Sequence, residues 1–142
     1  MPEPMVALQA EFGQQVRLLG YDLTESYTTE DPALTVAFYW QAGRQLDQTY
    51  TVFVQLLDPA GQFAVGWDNQ PCRNSCPTTT WQPAEILRDE YRLSLADLPS
   101  GNYQVIVGLY DPTTGVRLGV SQPKGAGVGD YLAVTKIDYQ AK

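Results

Sequence analysis

The sequence predicts an all-β protein, an antiparallel two-sheet β-sandwich of immunoglobulin-like or jelly-roll-like form with about seven to nine strands. Apolar and polar residues alternate with period two along most of the chain, as in strands with one buried face. Turn sequences such as Asp58-Pro59-Ala60-Gly61 recur roughly every ten residues. No window carries the 3.6-residue apolar period of an amphipathic helix.

The predicted strands lie, in chain order, within residues 15–23, 33–41, 50–58, 89–98, 103–111 and 131–139. β-Branched and aromatic residues, which strands prefer, fill these segments. One parity of each central segment is apolar and is predicted to face the core. These residues are Leu34, Val36, Phe38, Trp40, Tyr50, Val52, Val54, Leu56, Tyr91, Leu93, Leu95, Tyr103, Val105, Val107 and Leu109.

An internal similarity links residues 52–65 with residues 105–120, since both contain V-x-V-x-L-x-D-P followed by glycine. In each Asp-Pro turn the aspartate accepts from the backbone, proline presets φ, and glycine takes the left-handed position. We therefore predict two hairpins in comparable positions of the sandwich. Two copies are too few to indicate a solenoid.

The length of the chain predicts the number of domains, and its charge limits the kinds of partner. A chain of 142 residues fits one domain, predicted to span 1–142 with its core within roughly 12–139. Nine basic residues against sixteen acidic ones give a net charge of -7, which argues against a nucleic-acid partner, because such binders need a basic surface. The sequence contains neither a signal-peptide pattern nor an apolar run long enough for a membrane span.

The segment "DNQPCRNSCPTTTWQP", residues 68–83, contains both cysteines, Cys72 and Cys76. A structural zinc site needs four ligands, and the chain has no histidine. A catalytic thiol needs a base, normally histidine. Two interpretations stay open, a local disulfide or a pair of reduced cysteines, and the disulfide requires an oxidising compartment. We predict no metal and no cofactor.

Two tryptophans and the polar residues beside the first of them, within or next to this segment, form the candidate ligand site: Trp67, Asp68, Asn69 and Trp81. A flat ring beside amides and carboxylates is typical of sugar sites, because the ring covers C–H faces while polar groups bind hydroxyls. Alternatively, both tryptophans cap the open end of the core. Tyr39 and Tyr110 are predicted to be either cross-strand contacts or part of an exposed partner surface.

The remaining features give weaker signals. Asp89 shares the parity of the core-facing residues, and we expect it near the rim of the sandwich; a buried, arginine-paired Asp89 is the alternative. Residues 124–130 hold three glycines without the pattern of a phosphate loop, which indicates a connector. The minor alternative to a metal-free domain is a calcium ion among the acidic loops, for example near Asp22, Glu25, Glu30 and Asp31, but their spacing does not match an EF-hand.

Six segments carry a resemblance to a known family: "VRLLGYDL", "LTVAFYWQA", "DQTYTVFVQLLDPAGQ", "DNQP", "PTTTWQPAEILRDEYRLSL" and "GNYQVIVGLYDPTTGVRL". Together they resemble a β-sandwich accessory domain found C-terminal to glycosyltransferase-like membrane proteins of filamentous green bacteria (Chloroflexus-type). The family has no assigned function and no catalytic residues to carry over. This sequence departs from it at Ala84, where the family usually has glycine, and in its cysteine pair.

We accordingly expect a non-catalytic accessory domain of a cell-envelope protein that binds carbohydrate. The alternative is a structural or protein-interaction domain without a small-molecule ligand, docking onto its parent membrane region. The resemblance implies an extracytoplasmic location. No serine or cysteine triad is possible without histidine, so an enzyme is not expected.

Overall fold

A computed structural model of the protein describes residues 4–26, 30–72, 74–122 and 129–141. The described part contains nine β-strands, one 3₁₀ turn and no α-helix. The strands are β1 (Val6–Phe12), β2 (Val16–Ser26), β3 (Ala33–Ala42), β4 (Thr51–Leu57), β5 (Phe63–Asn69), β6 (Ile86–Ser94), β7 (Gly101–Tyr110), β8 (Val120–Ser121) and β9 (Leu132–Tyr139), and the 3₁₀ turn is Thr78–Thr80.

The strands form two antiparallel sheets, which confirms the predicted β-sandwich. The five-stranded sheet has the order β6-β3-β2-β1-β8, and the four-stranded sheet has the order β5-β4-β7-β9. β5 and β6 are therefore edge strands, and they contact each other at one open side of the sandwich. An edge strand has one unpaired side, so this side of the molecule can form a cleft.

The period-two alternation correctly predicts the core. All fifteen residues predicted to face inward are buried, because side chains of one parity in each strand meet the opposite sheet. Ala37 and Tyr39, of the outward parity of β3, are buried as well. β3 lies between β2 and β6, so side chains of both neighbours cover its outer face.

β1 was not predicted. It precedes the first predicted strand and pairs with β2. Its apolar parity is weak, since Val6 is exposed and Leu8 is half-buried. Only its last residues, Ala10 and Phe12, reach the core, so a search for continuous alternation passes over the segment.

The first of the two predicted hairpins is confirmed, since β4 pairs with β5. The second forms only in part. After β7 the chain turns back, Arg117 bridges Tyr110, and the Leu118 N–H donates to the Leu109 carbonyl at 2.8 Å; the chain then crosses to the other sheet, where β8 pairs with β1. β9 occupies the edge of β7 along residues 101–107, so a returning strand can pair only with the last residues of β7.

Both Asp-Pro turns nevertheless form as predicted. The Gly61 N–H donates to the Asp58 carbonyl at 2.8 Å, and the Gly115 N–H donates to the Asp111 carbonyl at 2.7 Å. Each glycine has a positive φ, 83° and 76° respectively. The predicted connector at 124–130 lies mostly outside the described residues, which resume at residue 129.

Candidate functional site

The cleft between β5 and β6 is the candidate site, and its volume is about 450 Å³. We call it the edge cleft; its lining residues are Trp67, Asn69, Asn74, Glu90, Tyr91 and Arg92. Two of the predicted residues, Trp67 and Asn69, therefore lie in one cleft. They share it because they have the same parity on β5, two positions apart.

Trp67 gives the edge cleft an accessible aromatic ring. The side chain is 51% exposed although it lies opposite the core residue Val54, because β5 is an edge strand and this part of its inner face meets the open side of the sandwich. In the amide orientation that satisfies its neighbours, Asn69 accepts from the Trp67 indole N–H and donates to the Asp68 carbonyl at 3.0 Å. The indole edge is thereby fixed while a ring face stays available.

Asp68 does not belong to the edge cleft. It lies between Trp67 and Asn69 in sequence, so its side chain points to the outer face of the four-stranded sheet, opposite Phe53. There the Tyr110 hydroxyl donates to its Oδ2 at 3.0 Å. Burial, with the nearby Asp68 carboxylate, raises the pKa of Tyr110. Tyr110 thus makes a cross-strand contact.

Trp81 is a core residue, which corrects its inclusion in the surface site. Its side chain is 0% exposed, and its indole N–H donates to the Cys76 carbonyl at 2.9 Å. The preceding 3₁₀ turn fixes it, since the buried Thr78 hydroxyl donates to the Gln48 carbonyl at 2.6 Å and accepts from the Tyr50 N–H at 3.1 Å. For Trp81 the core-capping interpretation is the one that the structure supports.

Cys72 and Cys76 form a disulfide with a Cα–Cα separation of 5.3 Å. This decides between the two interpretations left open by the sequence. The loop around it, residues 70–72 and 74–77, is called the disulfide loop below. Cys72 and Asn74 both have left-handed backbones, with φ of 56° and 70°, a region that residues with a Cβ adopt at a cost. Asn74 contributes one wall of the edge cleft.

Asp89 is fully buried in the middle of β6, not at the rim as expected. Its Oδ1 accepts from the Cys72 N–H at 2.7 Å and its Oδ2 from the Trp40 indole N–H at 3.3 Å. These donors, and not an arginine, compensate the charge. Burial raises the pKa of Asp89 to about 6, although these hydrogen bonds and the nearby Tyr91 hydroxyl lower it.

Tyr91 lines the edge cleft although it belongs to the buried core. It is 3% exposed, and its hydroxyl is buried without a partner in hydrogen-bond geometry among the described residues. Burial and the neighbouring carboxylate of Asp89 raise its pKa, so the hydroxyl stays protonated. The Asp89 carboxylate, two positions away on the same face of β6, is the acceptor with which this hydroxyl interacts.

Glu90 and Arg92 lie on the outward parity of β6 and make exposed ion pairs. Glu90 accepts from Arg88 at 3.1 Å, and Arg92 donates to Asp31 at 2.6 Å. Exposed pairs of this kind contribute little free energy, so a ligand can compete for either side chain. Sequence reasoning missed both, and also Asn74, because the contact between β5 and β6 cannot be read from local patterns.

Tyr39 and Asp22 form a separate polar network on the outer face of the five-stranded sheet. The Tyr39 hydroxyl donates to Asp22 Oδ2 at 2.6 Å and accepts from Arg88 Nε at 3.2 Å. The hydrogen bond from Tyr39 lowers the pKa of Asp22. Tyr39 is 4% exposed, so it is a cross-strand contact and not part of a partner surface.

A larger concavity, of about 760 Å³, lies on the outer face of β1 and β2. None of its described lining residues is aromatic; the polar ones are Gln9, Glu11, Gln14, Arg17, Gln41, Ser121 and Gln122. Most of them are the exposed polar side chains expected on the solvent face of a sheet. We prefer the edge cleft because it combines an aromatic ring with polar groups.

Across the described ranges, no three acidic, cysteine or histidine side chains lie close enough together to hold a metal ion. Two carboxylates of the calcium hypothesis are engaged elsewhere, Asp22 with Tyr39 and Asp31 with Arg92. The described residues also include no helix long and apolar enough to cross a membrane.

Comparison with known proteins identifies the fold but no family. No family model matches the chain, and no curated protein matches its sequence. The structure is similar to the C-terminal domain of wzt, with a TM-score of 0.58 and 13% identity, over 96% of this chain and 85% of that one. It is also similar to part of a calcium-binding double mutant of Bacteroides uniformis β-glucuronidase 2, with a TM-score of 0.55 and 12% identity, over 88% of this chain but only 14% of the enzyme.

Proposed function

We propose that this chain is a non-catalytic carbohydrate-binding accessory domain, and that the edge cleft is its ligand site. The observation that carries the proposal is the half-exposed Trp67 ring, fixed by Asn69, in a cleft that Asn74, Glu90 and Arg92 also line. The ring face supplies a platform for the C–H face of a sugar. The amides, carboxylate and guanidinium supply donors and acceptors for its hydroxyls.

The composition of the edge cleft favours binding over hydrolysis. Glycoside hydrolysis uses two carboxyl groups that flank the scissile bond. Glu90 is the one carboxylate among the described lining residues. Asp89, its sequence neighbour, is buried on the opposite parity and is held by Cys72 and Trp40. The edge cleft therefore provides one carboxylate, which can accept hydrogen bonds from a sugar, and not the two carboxyl groups that hydrolysis uses.

We further propose that the domain works outside the cytoplasm as part of a cell-envelope protein, as the family resemblance implies. The Cys72–Cys76 disulfide supports this location, because such bonds persist in oxidising compartments. The similarity to part of a β-glucuronidase supports a carbohydrate context at the level of fold. Fold alone does not define function, so the proposal depends on the cleft.

A glycan array, followed by isothermal titration of the best ligand, tests the proposal. We expect Trp67→Ala to weaken binding roughly tenfold or more, because the stacking platform is lost. Phe63→Ala is the matched control: Phe63 is an aromatic residue on the same strand, 62% exposed, and it lies outside the edge cleft. Its loss should leave the affinity unchanged.

Two results would contradict the proposal. If no glycan binds the wild-type protein, the structural or protein-interaction function is preferred. If Phe63→Ala weakens binding as much as Trp67→Ala, the ligand binds elsewhere on the hairpin.

A further inference from the structure

The wall of the edge cleft that Asn74 forms is held by contacts within the disulfide loop. The Asn74 side chain accepts from the Gln70 N–H and its own N–H donates to the Gln70 carbonyl, both at 2.9 Å. The Ser75 hydroxyl donates to the Cys72 carbonyl at 2.6 Å. These contacts tie Asn74 to the loop, so its position relative to Trp67 depends on where the loop is placed.

Two buried core residues hold the loop at its two cysteines. Asp89 accepts from the Cys72 N–H at 2.7 Å, and Trp81 donates to the Cys76 carbonyl at 2.9 Å. Both side chains are 0% exposed. A carboxylate is the strongest acceptor available to a backbone amide, and the Trp40 indole orients it from the other side. The disulfide joins these two attachment points.

The loop backbone is strained at Cys72, one of the two residues that the disulfide joins. Its φ is 56°, in the left-handed region that is unfavourable for most residues with a Cβ, whereas Asn74, with a φ of 70°, is of a residue type that tolerates this region. Once the covalent link is opened, the Cys72 backbone is free to relax toward negative φ. Such a change rotates the peptide that donates to Asp89 and moves Asn74 relative to Trp67.

We propose that the Cys72–Cys76 disulfide is a positioning device that, anchored by Asp89 and Trp81, sets the Asn74 wall of the edge cleft and makes ligand affinity depend on its oxidation state. The inference rests on the proposed carbohydrate function of the same cleft. Reduction by a dithiol adds two electrons and two protons to the disulfide and yields two thiols. The reductant loses the same electrons and protons and closes to its own disulfide.

The test compares the oxidised, dithiothreitol-reduced and reoxidised full chain by ¹⁵N–¹H correlation spectra and by titration with the tightest-binding array glycan. We expect reduction to shift the amide signals of Cys72 and Asn74 while those of core strand residues Val54 and Val107 stay in place. The glycan affinity should fall at least about fivefold and return on reoxidation. Unshifted loop signals, or equal affinity in both states, would overturn the proposal.

The spectra keep this inference distinguishable from the proposed function. If no glycan binds the oxidised protein, the carbohydrate function and the redox-dependent affinity both fail, and the loop shifts still decide whether the disulfide positions Asn74. If oxidised protein binds a glycan and reduction changes nothing, the carbohydrate function stands and the positioning role fails.

An Asp89→Asn variant with the disulfide intact tests the anchor by a second route. Asparagine keeps the size of the side chain but must present an N–H₂ group to Cys72 or to Trp40, both of which are donors. We expect an upfield shift of the Cys72 amide proton and weaker glycan binding. Asp58→Asn is the matched control, since Asp58 also accepts backbone N–H groups, from Ala60 and Gln62, in the turn before β5, at the opposite end of that strand from Asn69. An Asp89→Asn protein that folds, keeps the wild-type Cys72 signal and binds normally would overturn the anchoring role.

Discussion

Trp67 and Trp81 flank the disulfide symmetrically in sequence, each five residues from the nearer cysteine, yet they occupy opposite environments. Trp67 is 51% exposed, whereas Trp81 is 0% exposed. The difference comes from their elements: Trp67 lies on an edge strand that opens into the cleft, and Trp81 follows a 3₁₀ turn fastened to the core by Thr78. One tryptophan can offer its ring to a ligand, and the other holds the loop behind it.

The largest expected effect comes from removing the buried ring. Trp81→Ala should lower the free energy of unfolding by about 3–5 kcal/mol, because it leaves a cavity and an unpaired Cys76 carbonyl. Chemical denaturation followed by circular dichroism measures the change. The same substitution at position 67 is the control. Equal losses at the two positions would contradict the assignment of separate roles.

The buried carboxylate behind the loop predicts a pH dependence. Burial raises the pKa of Asp89 from 3.8 to about 6 in the folded protein, so between these values the folded state binds the proton more tightly than the unfolded state. Stability from this group is fully present below pH 3.8 and is lost as pH rises through about 6, in total roughly 3 kcal/mol. Denaturation across this window, with Asp89→Asn compared with the wild type, isolates the effect.

Asp22→Asn should change the pH profile in the opposite sense. The hydrogen bond from Tyr39 lowers the pKa of Asp22, so its stabilisation is present above the ordinary value and is lost as pH falls through the folded pKa. An unchanged slope would contradict the prediction for Asp89. If the free energy of unfolding has the same slope against pH, between pH 4 and 6, in Asp89→Asn and in the wild type, then the titration of Asp89 does not cause the pH dependence of stability.

The sequence predicts features that depend on neighbouring residues of one strand, and it does not predict contacts between distant segments. Alternation in β3, β4, β6 and β7 predicts the core because every residue of one parity meets the same environment. Asp89 was misplaced because its parity pointed inward but its polarity suggested the rim. Its donors, the Cys72 amide and the Trp40 indole, come from distant parts of the chain. Local patterns do not contain such contacts.

The candidate site was half predicted for the same reason. Trp67 and Asn69 share a parity, and that relation is visible in the sequence. Asp68 has the other parity, so its exclusion from the cleft follows from the strand geometry once β5 is assigned. Glu90 and Arg92 enter the site only through the contact between β5 and β6, which the order of strands in the two sheets determines.

The smallest expected effect on stability comes from removing the exposed ring of Trp67. Trp67→Ala should lower the free energy of unfolding by only about 1 kcal/mol, well below the loss at Trp81, since about half of the Trp67 side chain is already exposed. Denaturation of the same sample used for glycan titration tests this directly. A large loss of stability at position 67 would mean that Trp67 supports the fold as Trp81 does, and any loss of binding would then reflect misfolding and not a missing platform.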